Sequence, residues 1–194
     1  MKIVIGADHA GFVLKKDLVS FLSDQGHDVS DVGAHEYDEG DDYPDFIIPV
    51  AREVANNPED TMGIVIGGSG QGEAIAANRI KGVRAIVFNG QYDPQNGRSV
   101  PREIRLAREH NDSNILSLGA RFLTPLEARE AVSEWIDTEF SGEVRHIRRI
   151  KKIDALLEKK SFLKRNTLPM STNIVQGIVA SIIGSILLKW LGLF

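Results

Sequence analysis

Short, almost continuously apolar runs alternate along the chain with longer stretches whose apolar positions recur every three or four residues. Lys2–Ala7 (KIVIGA), Met62–Gly67 (MGIVIG), Val83–Phe88 (VRAIVF) and Ile115–Gly119 (ILSLG) are too short for helices and rich in β-branched residues. That pattern predicts buried parallel strands. Leu14, Leu18, Phe21 and Leu22 share one helical face, Gly26 supplies a stop, and a weaker strand follows around His27–Val32. Further helices are predicted at Pro44–Asn56, Gly72–Ile80, Val100–His110 and Thr124–Phe140. The last carries a capping signal, with Thr124 as cap, Pro125 in the first helical position and Glu127 to complete the box. Strand and helix in alternation predict an α/β fold, a Rossmann-like three-layer α/β/α sandwich around about five parallel strands. In such sheets ligands bind beyond the carboxyl ends of the strands. Asp8 and His9 follow the first strand, GGSGQGE the third, Asn89 the fourth, and Ala120 and Arg121 the fifth.

Composition narrows the chemistry. The 194 residues include no cysteine, which excludes a disulfide scaffold, a thiolate metal site and a cysteine nucleophile or base. The net charge of −4 argues against nucleic acid as the main partner. It conceals an asymmetry: Glu143 to Asn166 holds nine basic and three acidic residues, so this segment is +6 and the remainder −10. Such a block is either a solvated helix face or an anion or membrane-surface contact. The start, MKIVIGADHAG, enters a strand without a signal-peptide pattern, which predicts a cytoplasmic body.

The candidate residues each have a structural reading beside a chemical one. The loop Gly67-Gly68-Ser69-Gly70-Gln71-Gly72-Glu73 joins a strand to a helix, where backbone N–H groups can hold a phosphate or a developing oxyanion. It lacks the Lys-Ser/Thr of a Walker loop and the third glycine of a dinucleotide fingerprint, and a tight turn alone would also explain it. Glu73 could simply complement the helix dipole. Asp8 could be the cap of the next helix, and His110-Asn111-Asp112 a helix end. Arg145, His146 and Arg149, at spacings that bring them near one helix face, could gather a phosphate.

Together the pieces are more specific. IGADHAG, DYP at Asp42–Pro44, IGGSGQGEAIAANR, REHNDSNILSLGAR and VRHIRR occur in order, and from Met1 to about Ile153 the chain resembles the type B ribose-5-phosphate isomerase family, which also contains galactose-6-phosphate isomerase subunits. The resemblance implies an aldose-ketose isomerase that opens a sugar ring and passes through an enediolate, without cofactor or metal. It assigns ring opening to Asp8 and His110. Many members use a cysteine as carbon base; this chain resembles the branch in which a glutamate just inside the helix does so, which is Glu73. Ser69 and the amides from Gly70 to Gly72, with Gly68 beside them, would face the enediolate oxygens. Asn78 and Asn111 would fix sugar hydroxyls, and Tyr43 would pack on or bond to substrate. His9, Arg121, Arg145 and Arg149 match the family's phosphate-binding positions, while Arg148 and His146 either assist or face solvent. A homodimer or homotetramer with shared active sites is implied. A hexose-6-phosphate isomerase and a non-catalytic sugar-phosphate-binding module tethered to a membrane are the alternatives.

Two segments depart from the family pattern. The polar loop Asn89–Pro101 is longer than usual, either as a surface insertion or as a determinant that admits a hexose phosphate. After an isomerase domain over 1–158 and a basic linker over 159–173, residues 174–194 form a hydrophobic stretch with no charge between Ile174 and Leu188. At ~1.5 Å per residue this stretch would cover roughly the ~30 Å hydrocarbon core. It reads as a tail anchor on the cytoplasmic face, as an interfacial helix with its small residues on one side, or as a helix packed on protein.

Overall fold

The computed structural model describes residues 1–93 and 99–166, with side chains as far as residue 156. Met1–Asp154 forms one compact unit, separate from the chain that follows from Ala155. The elements are β1 (Lys2–Ala7), α1 (Phe12–Asp24), β2 (Asp28–Asp31), α2 (Pro44–Asn56), β3 (Thr61–Gly67), α3 (Gln71–Ala77), β4 (Ala85–Phe88), α4 (Glu103–Asn111), β5 (Ile115–Gly119), α5 (Pro125–Asp137) and α6 (Val144–Asn166), with one 3-10 turn at His9–Gly11. The five strands form one parallel sheet in the order β2-β1-β3-β5-β4. Its register aligns Asp31, Ile5, Ile64, Leu116 and Ile86 across the sheet.

Alternation along each strand divides the core. Ile3, Ile5, Ile64, Ile66, Leu116 and Leu118 bury one face against Leu14, Leu18 and Leu22 of α1, Ile104 of α4, and Val132 and Trp135 of α5. Val4, Val65 and Ile115 bury the other against Ile47, Val50 and Val54 of α2 and Ala77 of α3. On this second face the strands carry glycine where α2 comes closest: a Cβ on Gly6 would lie 2.8 Å from the Phe46 carbonyl oxygen. The buried Lys15 ties α1 to the end of β2 through the Asp31 carboxylate at 2.5 Å and the Gly33 carbonyl at 2.8 Å.

The helix ends differ from the periodicity where side chains bond to backbone of distant elements. α3 stops at Ala77 rather than Ile80; Asn78 then donates to the Ala85 carbonyl and accepts from the Ala85 N–H, clamping β4. α4 begins at Glu103 rather than Val100, where the Gln91 carboxamide accepts the Glu103 N–H. α5 has the predicted capping box but ends at Asp137, with Arg108 holding the Thr138 carbonyl. Residues 159–166, expected in a linker, continue α6, a run without Gly or Pro. Among the described residues no helix is long and apolar enough to cross a membrane. The predicted helix over 174–194, the linker beyond 166 and residues 94–98 of the long loop lie outside the described residues.

Candidate active site

The carboxyl edge of the sheet collects one group of the expected residues. At the end of β1 the buried Asp8 accepts from the N–H groups of Ala10 and Gly11 at 3.0 and 3.2 Å. The capping reading is therefore correct, and both bonds converge on one carboxylate oxygen. A Cβ on Gly11 would meet the Ile66 carbonyl at 2.6 Å, so the turn lies directly on β3. His9 donates from Nδ1 to Asp41 at 2.6 Å, and its backbone N–H reaches the same oxygen at 3.1 Å. This bond raises the His9 pKa above the usual imidazole range against some desolvation, with the charges of Asp8, Asp41 and Glu39 adding to the rise.

The glycine loop is held from behind. Asn89, just after β4, donates to the Ser69 carbonyl at 3.1 Å, and Ser117 of β5 donates to the Gly70 carbonyl at 2.6 Å. Because trans peptide groups are planar, the N–H groups of Gly70 and Gln71 then point away from β4 and β5. The Gln71 N–H has only a 3.4 Å contact to Ser69 Oγ. Gly70 has φ +74°, a left-handed conformation that suits glycine. The Arg121 guanidinium covers Gly68, and the Tyr43 phenol end rests on Gly72; a Cβ at either glycine would lie about 3.0 Å from them.

Glu73, in the first turn of α3, is 5% exposed, and its carboxyl packs over the Cα of Gly67. Burial pushes its pKa above the ordinary glutamate range, a bond from its own backbone N–H offsets part of that, and the Asp8 charge adds to the rise. A buried carboxyl so perturbed beside a second carboxylate is suited to proton transfer.

A second group lies at the opposite edge. α4 returns antiparallel to the strands, so His110 and Asn111 sit beside the amino end of β4, where Arg84 binds the carbonyls of Asn111 and Asp112 at 3.1 and 2.7 Å. α6 starts here too: the Ser141 N–H reaches the Glu109 carbonyl, and the rings of His110 and His146 lie 4.2 Å apart. His146 is 1% exposed, with Nδ1 against Ser141 Oγ at 2.9 Å and a buried Nε2 lacking a partner. It does not face solvent, because α6 turns it inward while Arg145, Arg148 and Arg149 remain exposed. Arg145 is paired with Glu143 at 2.7 Å, and Arg149 has no carboxylate partner among the described residues. The strand length separates the two edges by roughly 15–20 Å.

One chain therefore unites Asp8, His9, Tyr43, Gly68, Ser69, Gly70, Gly72, Glu73 and Arg121 at one edge, but not with His110, Asn111, Arg145 or Arg149. Asn78 is corrected to a structural clamp on the outer side of α3, since both its amide atoms serve Ala85. Asp41 and Ser117 were not singled out by sequence reasoning, Asn89 only by its position after a strand, and His146 without its inward orientation. Asp41 precedes the DYP stretch, but nothing in its own spacing points to His9. Asp8, His9 and Asp41 bring ligand-type atoms within 4.8 Å of one another, with His9 Nδ1 at 2.6 Å from Asp41.

The model of the Ribose/Galactose Isomerase family matches residues 3–153. Ribose-5-phosphate isomerase B of Mycolicibacterium paratuberculosis is 41% identical over 150 residues, covering 77% of this chain and 87% of that protein. The Escherichia coli enzyme of the same name is 36% identical over 160 residues, covering 82% and 99%. The crystal structure of ribose-5-phosphate isomerase B from Mycoplasma genitalium with bound ribulose-5-phosphate superposes with a TM-score of 0.73 at 36% identity, covering 81% of this chain and 96% of that one. Together with the motifs, the sheet order and the buried glutamate, these matches establish that the chain belongs to the ribose/galactose isomerase family.

Proposed function

We propose that this protein interconverts D-ribose 5-phosphate and D-ribulose 5-phosphate, with Glu73 as the proton-shuttling base. The observation that carries the proposal is the buried Glu73 carboxyl at the head of α3, with Asp8 beside it and outward-facing loop amides next to it. The ribulose-5-phosphate bound to the Mycoplasma genitalium relative supports the substrate class. After ring opening, Glu73 takes the proton from C2 of the open-chain aldose, leaving an enediolate, and returns it to C1 as the O2 hydroxyl proton passes to O1. The hydrogen moves within the substrate, so the step is redox neutral and calls for no electron acceptor. The amides of Gly70 to Gly72 and Ser69 stabilise the enediolate oxygens, which carry most charge in the transition state.

Ring opening requires an acid and a base on the same sugar as Glu73. A pentose phosphate cannot bridge the two edges of one chain, so a second copy supplies His110, with Asn111, Arg145 and Arg149, to the edge that holds Asp8, His9, Glu73 and Arg121. The functional unit is a homodimer with two shared sites. His110 protonates the ring oxygen while Asp8 takes the hydroxyl proton, and the guanidiniums with His9 bind the phosphate.

Glu73→Gln keeps the shape of the loop and removes the base. Turnover of ribose 5-phosphate in a coupled ketose assay should fall about 10²–10⁴-fold, the usual worth of a general base, with KM within a few-fold of the parent. Turnover near that of the parent would remove Glu73 from the mechanism. Absence of any ribose 5-phosphate turnover in the parent, with turnover of a hexose 6-phosphate, would move the substrate to six carbons.

A further inference from the structure

We propose that Asp41 is a positioning residue that holds His9 as a doubly protonated, correctly aimed imidazolium for the substrate phosphate. The inference rests on the reading of His9 as a phosphate ligand.

Asp41 lies in the loop between β2 and α2, 32 residues from His9 in sequence. One of its oxygens receives both the ring Nδ1–H at 2.6 Å and the backbone N–H at 3.1 Å, which fixes the ring and its backbone together. The Asp41 side chain is 9% exposed, and its other oxygen is buried without a hydrogen-bond partner. A buried carboxylate left half unsatisfied needs a cation, and among the described residues His9 is the one paired with it. The Tyr37 ring meets His9 edge-on at 6.3 Å. With Nδ1 committed to Asp41, Nε2 is the ring atom left for a ligand. In neutral imidazole that atom would be an acceptor and would repel a phosphate oxygen; only the imidazolium donates there.

The groups that face His9 are Asp8 from its own turn and Asp41, Glu39 and the Tyr37 phenol from the β2–α2 loop. The acidic ones all favour the charged ring. Removing the Asp41 charge while keeping its oxygen should therefore leave the ring in place but let it lose its proton at lower pH.

The test compares Asp41→Asn and Asp41→Ala with the parent dimer, using ribose 5-phosphate from pH 6 to 9. Asp41→Asn should have a KM within about twofold of the parent at pH 6, where both rings are charged. At pH 8 its KM should be about tenfold higher, the worth of one charge-assisted hydrogen bond. Asp41→Ala should raise KM at both pH values, and kcat should stay within about threefold throughout. Inhibition by inorganic phosphate should weaken in the same pattern. An unchanged KM in both variants, an Asp41→Asn defect of equal size at pH 6 and 8, or a fall in kcat with KM unchanged would each overturn the inference.

A second measurement does not need catalysis. The His9 ring resonances, assigned by their loss in His9→Asn, should titrate at lower pH in Asp41→Asn than in the parent and should shift on adding inorganic phosphate. Identical titration in the two proteins overturns the role of Asp41. If the titration and the phosphate shift behave as expected while the parent turns over no ribose 5-phosphate, the isomerase reading fails and the Asp41–His9 device stands.

Discussion

At Glu73 the desolvation that suits proton transfer works against the folded state. Its pKa is raised above that of the unfolded chain, so the native protein binds more protons in the interval between the two values. Its contribution to stability is complete below about pH 4.5 and is lost as pH rises through the folded value. Glu73→Gln is neutral at every pH and escapes this loss. The variant should melt at a higher temperature than the parent at pH 7 and at nearly the same temperature near pH 4, by scanning calorimetry across that range. Equal differences at both pH values would assign the effect to packing against Gly67. The residue types at this edge were legible in the sequence because Asp8, the glycine loop and Glu73 are contiguous with strand ends. Asp41 was not, because its partnership with His9 spans 32 positions and depends on how the β2–α2 loop folds back. His146 was ambiguous for a similar reason: helical spacing groups it with Arg145 and Arg149 but does not say which side faces inward.

Elements, unlike single contacts, follow largely from local pattern. β1 and β5, α2 and the Thr124 capping box are where apolar alternation and capping chemistry predict them. The displaced helix ends are those whose last turn is settled by a distant partner, as Asn78 is by β4 and the start of α4 by Gln91. Pattern also cannot show how closely two elements approach. Gly63 in β3 reads as an ordinary interruption of an apolar run, yet a Cβ there would lie 2.9 Å from Val50 and 3.0 Å from both Val54 and Ile115. These are stiff β-branched neighbours on both sides, so α2 would have to move away from the sheet. Gly63→Ala should cost about 1–3 kcal/mol in urea unfolding. Its KM for substrate should be unchanged, since the contact lies in the interior and not at the carboxyl edge. Ser117→Ala should cost about 1 kcal/mol for one buried hydrogen bond. It should also reduce kcat, because the Gly70 carbonyl loses the donor that helps aim the loop.

For the whole molecule, the separation of the two edges decides how many chains make a site. The motifs run in one order along the chain, which gives no hint that REHND and VRHIRR fold to the amino edge of the sheet while IGADHAG and GGSGQGE fold to the carboxyl edge. The direction of α4 settles this: it must return antiparallel to β4 before β5 can lie parallel beside it, carrying His110 away from Asp8. If two copies complete each other's sites, defects on opposite edges should compensate. In a mixed dimer of Glu73→Gln and His110→Asn chains, one site receives both substitutions and the other receives neither. Each variant alone should be nearly inactive, because every site in its dimer has the same defect. After co-expression, or unfolding and refolding together, random pairing makes half the dimers mixed, and half their sites are intact. Activity should then return to about a quarter of the parent value, as two-fold symmetry requires. Mixing Glu73→Gln with Asp8→Asn is the control: both lie on the same edge, so every site in a mixed dimer carries one defect and activity should stay low. Recovery in the control, or none with His110→Asn, would show that Glu73 and His110 do not meet across two chains.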